Sequence, residues 1–177
     1  MFYVSDILKT APEVFETPAR EKIYHTLEAL GVKFERVETD PGVTMEDCRN
    51  IDKVFGGRIV KTIFLRNRQG TRFYMYVTMD DKPFVTKDFC SALGVPRVSF
   101  ASEEDLMGIA GVERGAATVL CACLPSTKGV RFVFDKETVR TEWFRCTDGT
   151  ATCFLKLGTS DLMDVFMAAC GREVTVI

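Results

Sequence analysis

The run Ile59-Val60-Lys61-Thr62-Ile63-Phe64-Leu65 has the composition of a β-strand and one residue out of pattern. Strand alternation puts Lys61 on the same face as Ile59, Ile63 and Leu65. An ammonium on an apolar face is costly unless it meets a partner or lines a pocket. Two readings stay open: a lysine that snorkels out from an edge strand, and a functional cation beside a cleft. Other chemistries are narrowed by what is missing. A serine or cysteine triad needs an orienting histidine. His25, the one histidine, falls two residues from both Ile23 and Leu27 and so on the wet face of a helix. No GxxxxGK[ST] phosphate loop occurs. Gly108, Gly111 and Gly115 follow no strand and make no dinucleotide fingerprint. They either end a helix and form a turn, or build a loop whose bare amides contact a ligand.

The seven cysteines, at 48, 90, 121, 123, 146, 153 and 170, form neither a disulfide framework nor a CxxC pair. Most lie in apolar stretches, where a thiol packs as a small core residue. A zinc site needs about four ligands at recognisable spacing, so no metal and no other cofactor is expected, and a reducing cytoplasm fits.

The elements that must position Lys61 alternate in type along the 177 residues, without a repeat or linker. Thr17-Pro18 opens a helix that Gly31 closes, with Ile23, Leu27 and Leu30 on one face. Phe34 to Val37 reads as a strand, and Thr44-Met-Glu-Asp47 as a capping box opening a helix that ends near Gly56-Gly57. Ile59–Arg66 and Thr71–Thr78 form a hairpin around Asn67-Arg68-Gln69-Gly70. Thr86 caps a helix ended by Gly94, Arg97–Ala101 is a strand, and Ser102-Glu-Glu-Asp105 caps another helix. Further strands are expected at Val119–Leu124, Val130–Phe134, Glu142–Cys146, Thr150–Leu155 and Glu173–Ile177, with a helix from Ser160 to Cys170. The pattern predicts an α+β domain.

Charge is unevenly placed. Residues 1–52 carry a net −5, residues 53–72 a net +6 with no acid, and the remainder a net −3. The basic block, Lys53 to Arg72, is either a solvated hairpin with basic tips or a landing site for a polyanion. The longest uncharged run, Gly115 to Thr127, has 13 residues, short of the ~20 that a membrane helix needs. The start Met1-Phe2-Tyr3-Val4-Ser5-Asp6 does not read as a signal peptide.

Five stretches, in order, carry a resemblance: Phe34-Glu-Arg-Val-Glu, Ile59-Val-Lys-Thr-Ile-Phe-Leu-Arg66, Arg72-Phe-Tyr-Met-Tyr-Val77, Leu93-Gly-Val-Pro-Arg-Val-Ser-Phe-Ala101 and Gly111-Val-Glu-Arg-Gly-Ala-Ala-Thr118. From about Pro18 onward the chain resembles the YbaK/ProX family of aminoacyl-tRNA deacylases, in the branch of the prolyl-tRNA-synthetase-associated editing domain. The resemblance implies one α+β domain over residues 18–177, with a curved mixed sheet of about seven strands, and residues 1–17 as an N-terminal extension. It implies a catalytic role for Lys61 and substrate contacts from Thr62, Gly115, Thr118 and Thr147. Lys53, Arg58, Arg66 and Arg68 would then meet tRNA phosphates.

Many members carry a His-Pro pair before the last strands. Here that histidine falls at Arg145 or Thr147, depending on register, so the substrate preference has shifted or activity is weakened. The implied reaction is hydrolysis of the ester on a mischarged tRNA, foremost alanine on proline-specific tRNA, with cysteine on the same tRNA as the rival. A non-catalytic binder of aminoacyl-tRNA or of an amino acid is the alternative. The implied partners are mischarged tRNA and prolyl-tRNA synthetase, with no membrane and no DNA. Such an ester is already activated, so a site need supply only position and charge stabilisation. A charged, positioning Lys61 suffices, whereas a basic one would need its pKa lowered from ~10.4 towards ~7–8.

Overall fold

The computed structural model describes residues 1–41 and 44–177. Helix α1 (Pro18–Ala29) begins where the Thr17 hydroxyl accepts the Arg20 N–H, and it buries Ile23, Tyr24 and Leu27. Strand β1 (Phe34–Glu38) follows, then α2 (Met45–Phe55), which opens on a reciprocal capping box between Thr44 and Asp47. The hairpin of β2 (Val60–Asn67) and β3 (Phe73–Met79) leads to α3 (Thr86–Leu93) and β4 (Val98–Phe100). Beyond α4 (Glu103–Asp105), a π-helical turn (Leu106–Ala110) and the loop 111–118 come β5 (Val130–Phe134), α5 (Lys136–Val139) and β6 (Trp143–Thr147). The chain finishes with β7 (Cys153–Gly158), a π-helical segment (Asp161–Met167) running into α6 (Ala168–Cys170), and β8 (Val174–Val176).

The α+β class holds, but the strands form two sheets where one curved sheet was expected. One is mixed, in the order β4-β2-β3-β5-β8, and the other antiparallel, in the order β1-β7-β6. Their apolar faces share a core with α1 and the segment before α6, including Met75, Phe132, Phe144, Leu155 and Phe166. A second cluster under α2 joins Ile51, Phe55 and Ile59 to Val37 and Phe154, and a third under α3 joins Phe89 to Leu65, Tyr74 and Val133. The amino-terminal segment is tied down. Leu8 and Arg36 exchange backbone hydrogen bonds beside β1, and Phe2 and Val4 pack on the second cluster. Among the described residues no helix is long and apolar enough to cross a membrane.

Three local expectations are corrected. Val119–Cys123 is a 3₁₀ helix rather than a strand, because the Thr118 hydroxyl accepts the Leu120 N–H and starts a turn there. Its first four residues are all buried, so no alternation marks it. Strand β7 starts at Cys153, not Thr150, because Asp148 accepts both the N–H and the hydroxyl of Thr150 and holds it in the turn. Thr86 begins α3 but does not cap it; Val85 occupies the cap position without a side-chain bond.

Candidate active site

Strand β4 pairs only with Leu65–Asn67 of β2, while β3 pairs with β2 from Val60 to Arg66. The Ala101 N–H donates to the Phe64 carbonyl at 2.9 Å, which fixes the direction of the ladder. In an antiparallel pair successive residues point their polar groups to opposite sides. Thr62, two residues from Phe64, therefore directs its N–H and C=O to the edge left free beyond β4. Among the described residues these groups have no hydrogen-bond partner. A cavity of about 410 Å³ opens along this edge, bordered by Thr62, Phe64, Phe100, Leu106, Arg114 and Gly115. It receives side chains from both faces of the sheet. Phe64 belongs to the central core, whereas Ile63, which also borders the cavity, packs against the cluster under α3.

Gly115 has φ +86°, and a Cβ built there would meet nothing within 4 Å. The glycine is thus required by backbone conformation rather than by lack of room. Thr147 holds the same loop from below, its hydroxyl lying 3.3 Å from the carbonyls of Ala116 and Ala117. Thr118 is fully buried and spends its hydroxyl on the helix cap. Thr118, expected as a substrate contact, thus has a structural role in the cap.

Lys61 lies on the opposite face of β2 from Thr62. Its ammonium donates to the Lys82 carbonyl, and it is half-buried rather than free in solvent. Its cross-strand neighbour Thr78 donates to Asp135 at 3.0 Å, and the Lys82 ammonium binds the same carboxylate at 2.6 Å. The cavity beside Gly115 thus gathers Thr62 and Gly115, with Thr147 behind the loop, while the amine of Lys61 sits around the strand edge from it.

The basic block is divided. Arg58 is paired with Asp80, Asp81 and Glu137, and Arg66 with Asp105 at 2.9 Å. Both arginines, expected as phosphate contacts, thus already have carboxylate partners in the fold. Lys53 and Arg68 are exposed and make no ion pair among the described residues. They stand beyond opposite ends of β2.

Arg145 and Thr147, the two placements of the family's histidine, share a face of β6. Arg145 is buried, and its guanidinium lies 3.3–3.4 Å from the carbonyls of Phe55, Gly56 and Trp143, covering the end of α2. It also borders a second cavity, of about 470 Å³, with Val60 and Phe144. Burial lowers its pKa, and Asp52 only partly offsets this. Burial pushes the Cys146 and Cys153 thiols up to about 12, so neither offers a thiolate nucleophile. The sequence reading passed over the free N–H of Thr62, which strand pairing alone reveals, and the exposed Phe100 and Arg114 at the cavity.

Residues 39–165 match the model of the aminoacyl-tRNA editing domain. The chain is 31% identical over 121 residues to the prolyl-tRNA editing protein ProX of Acetoanaerobium sticklandii, covering 68% of this chain and 74% of that one. In structure it resembles a proposed trans-editing enzyme for prolyl-tRNA synthetase, with a TM-score of 0.63 at 16% identity over 90% of this chain and 96% of the other. It also resembles the hypothetical protein APE2540, with a TM-score of 0.66 at 19% identity over 88% and 97%. The chain belongs to the aminoacyl-tRNA editing domain family and is an aminoacyl-tRNA deacylase.

Proposed function

We propose that the protein removes alanine in trans from mischarged proline-specific tRNA, with the ester held at the free edge of β2. The observation that carries this reading is the unpartnered Thr62 N–H beside the cavity that Thr62 shares with Gly115. A strand-edge amide and the amides of a glycine loop are preorganised donors for the oxygen that gains charge when water attacks an ester. Lys61 adds a positive charge on a four-carbon stem. To serve there, it leaves the Lys82 carbonyl and turns around the strand edge towards Thr62. No protein nucleophile is required.

The need for such an enzyme follows from small differences in binding. A synthetase pocket rejects an amino acid one methylene smaller by only about 10–200-fold. A second site acting on the charged tRNA removes what the first lets through, in the cytoplasm and beside prolyl-tRNA synthetase. The test is deacylation of proline-specific tRNA charged with alanine, cysteine or proline, by the wild type and by Lys61→Ala. Alanine released by the wild type and retained with the variant is the expected result. Preferential release of cysteine would reassign the substrate, and equal rates for the two proteins would remove Lys61 from the mechanism.

A further inference from the structure

Phe100 ends β4, on the sheet face where Leu65 is its cross-strand neighbour. It is 66% exposed, the most exposed aromatic residue among the large apolar side chains at the surface. The Phe84 ring meets it edge-on at 5.7 Å, a contact that fixes the ring without covering it. Phe100 borders the same cavity as Thr62 and Gly115, and so does Arg114, whose side chain is 85% exposed. The acid nearest Arg114 is Glu103, at 3.5 Å and itself 74% exposed. Such a solvated pair holds its members weakly.

We infer that Phe100 is the stacking platform for the terminal nucleobase of the tRNA, with Arg114 facing the adjoining phosphate. The inference rests on the reading that places the ester beside Thr62. Once the ester carbonyl is at Thr62, the ribose that carries it lies at the cavity mouth, and its base must fall within one nucleotide of that point. An exposed aromatic face there replaces the stacking that a single-stranded end lacks, and a cation beside it matches the backbone charge. Phe100 touches the substrate but not the reacting bond, so it acts on binding rather than on the chemical step.

The experiment compares two short single-stranded oligonucleotides, one ending in CCA and the other lacking the final A, for binding to the wild type, Phe100→Ala and Phe100→Trp. The wild type is expected to prefer the longer strand roughly 5- to 150-fold, the range for one base on one aromatic ring. Phe100→Ala loses that preference and Phe100→Trp keeps it. Equal binding of both strands by the wild type, or an undiminished preference in Phe100→Ala, overturns the inference. Since this readout needs no turnover, its failure is distinct from a failure of the deacylation assay. With mischarged tRNA as substrate, Phe100→Ala raises KM and leaves kcat nearly unchanged. A fall in kcat alone would assign the ring to the chemical step and overturn the platform.

Discussion

The turn after β6 and the free edge of β2 both gather polar groups where strand pairing stops, and they are finished in opposite ways. In the turn, Asp148 is completely buried and every partner is in place. Arg20 and Tyr24 each donate to one carboxylate oxygen at 2.7 Å, and Thr150 gives its N–H and hydroxyl to the other. Burial disfavours the Arg20 charge, but Asp148 more than compensates and raises its pKa. At the edge of β2 an amide lacks a partner among the described residues, a glycine loop stands open and a phenylalanine faces water. A saturated set of buried groups joins α1 to the β6–β7 turn and has nothing left to offer a ligand. An unsaturated set costs stability and is worth keeping only where something binds.

The largest effect should come from opening the saturated set. Asp148→Ala leaves the buried Arg20 guanidinium with only the exposed Glu16 carboxylate, 3.6 Å away, and removing one partner of a buried ion pair costs about 3–5 kcal/mol. Urea unfolding measures it. A loss much below this range would mean that water reaches Arg20 and that the turn is less closed than its hydrogen bonds imply.

Lys61→Ala tests the cation proposed to serve the unsaturated set. Removing one donor to a developing oxyanion typically costs about 10²–10³ in rate, so kcat/KM for mischarged tRNA should fall by that order. The urea midpoint should barely move, because the variant gives up only a half-exposed bond to the Lys82 carbonyl. Activity loss that tracks stability loss would erase the contrast between the two regions.

Much of this arrangement is visible in the sequence because it follows from local chemistry. The Thr17 and Thr44 caps, the β2–β3 hairpin and the odd placement of Lys61 are readable from residue type and spacing. What escapes is set by pairing between distant segments. Nothing near Thr62 in the chain says that pairing with β4 ends before it, and so nothing marks its N–H as free. Arg58 and Arg66 look available because their carboxylate partners, Asp80, Asp81, Glu137 and Asp105, are 22 to 79 residues away in the chain. Thr118 looks polar and available, yet a 3₁₀ cap consumes it. Val119–Cys123 is misread because a segment buried on all sides shows no period.

Asp135 offers a smaller, pH-dependent contrast. Burial works to raise the pKa of its carboxyl. The Lys82 ammonium, the Glu137 N–H and the Thr78 hydroxyl outweigh burial and hold it below the ordinary value. A carboxyl that binds its proton less tightly when folded stabilises the fold at neutral pH and loses that contribution as the pH falls through its folded value. Asp135→Asn should therefore cost about 1–3 kcal/mol at pH 7. The gap to wild type should close on acidification below about pH 4. A gap independent of pH would show that packing, not charge, is what the variant lost.

The smallest effect tests which cations of residues 53–72 remain free for tRNA. If all six bases met phosphates, log affinity would fall against log salt with a slope near about −5. Arg58 and Arg66 already have carboxylate partners, and Lys61 is held by a carbonyl. That leaves Lys53, Arg68 and Arg72, and a slope contribution nearer to about −3. Arg68→Ala should then flatten the measured slope by about one, with little change in stability because its side chain is exposed and makes no ion pair among the described residues. Arg66→Ala should leave the slope almost unchanged, since the charge it removes is already neutralised by Asp105. A slope that flattens equally in both variants would mean that tRNA displaces Asp105 from Arg66. The ion pairs around the basic block would then give way to tRNA phosphates, and the block as a whole would be a landing site.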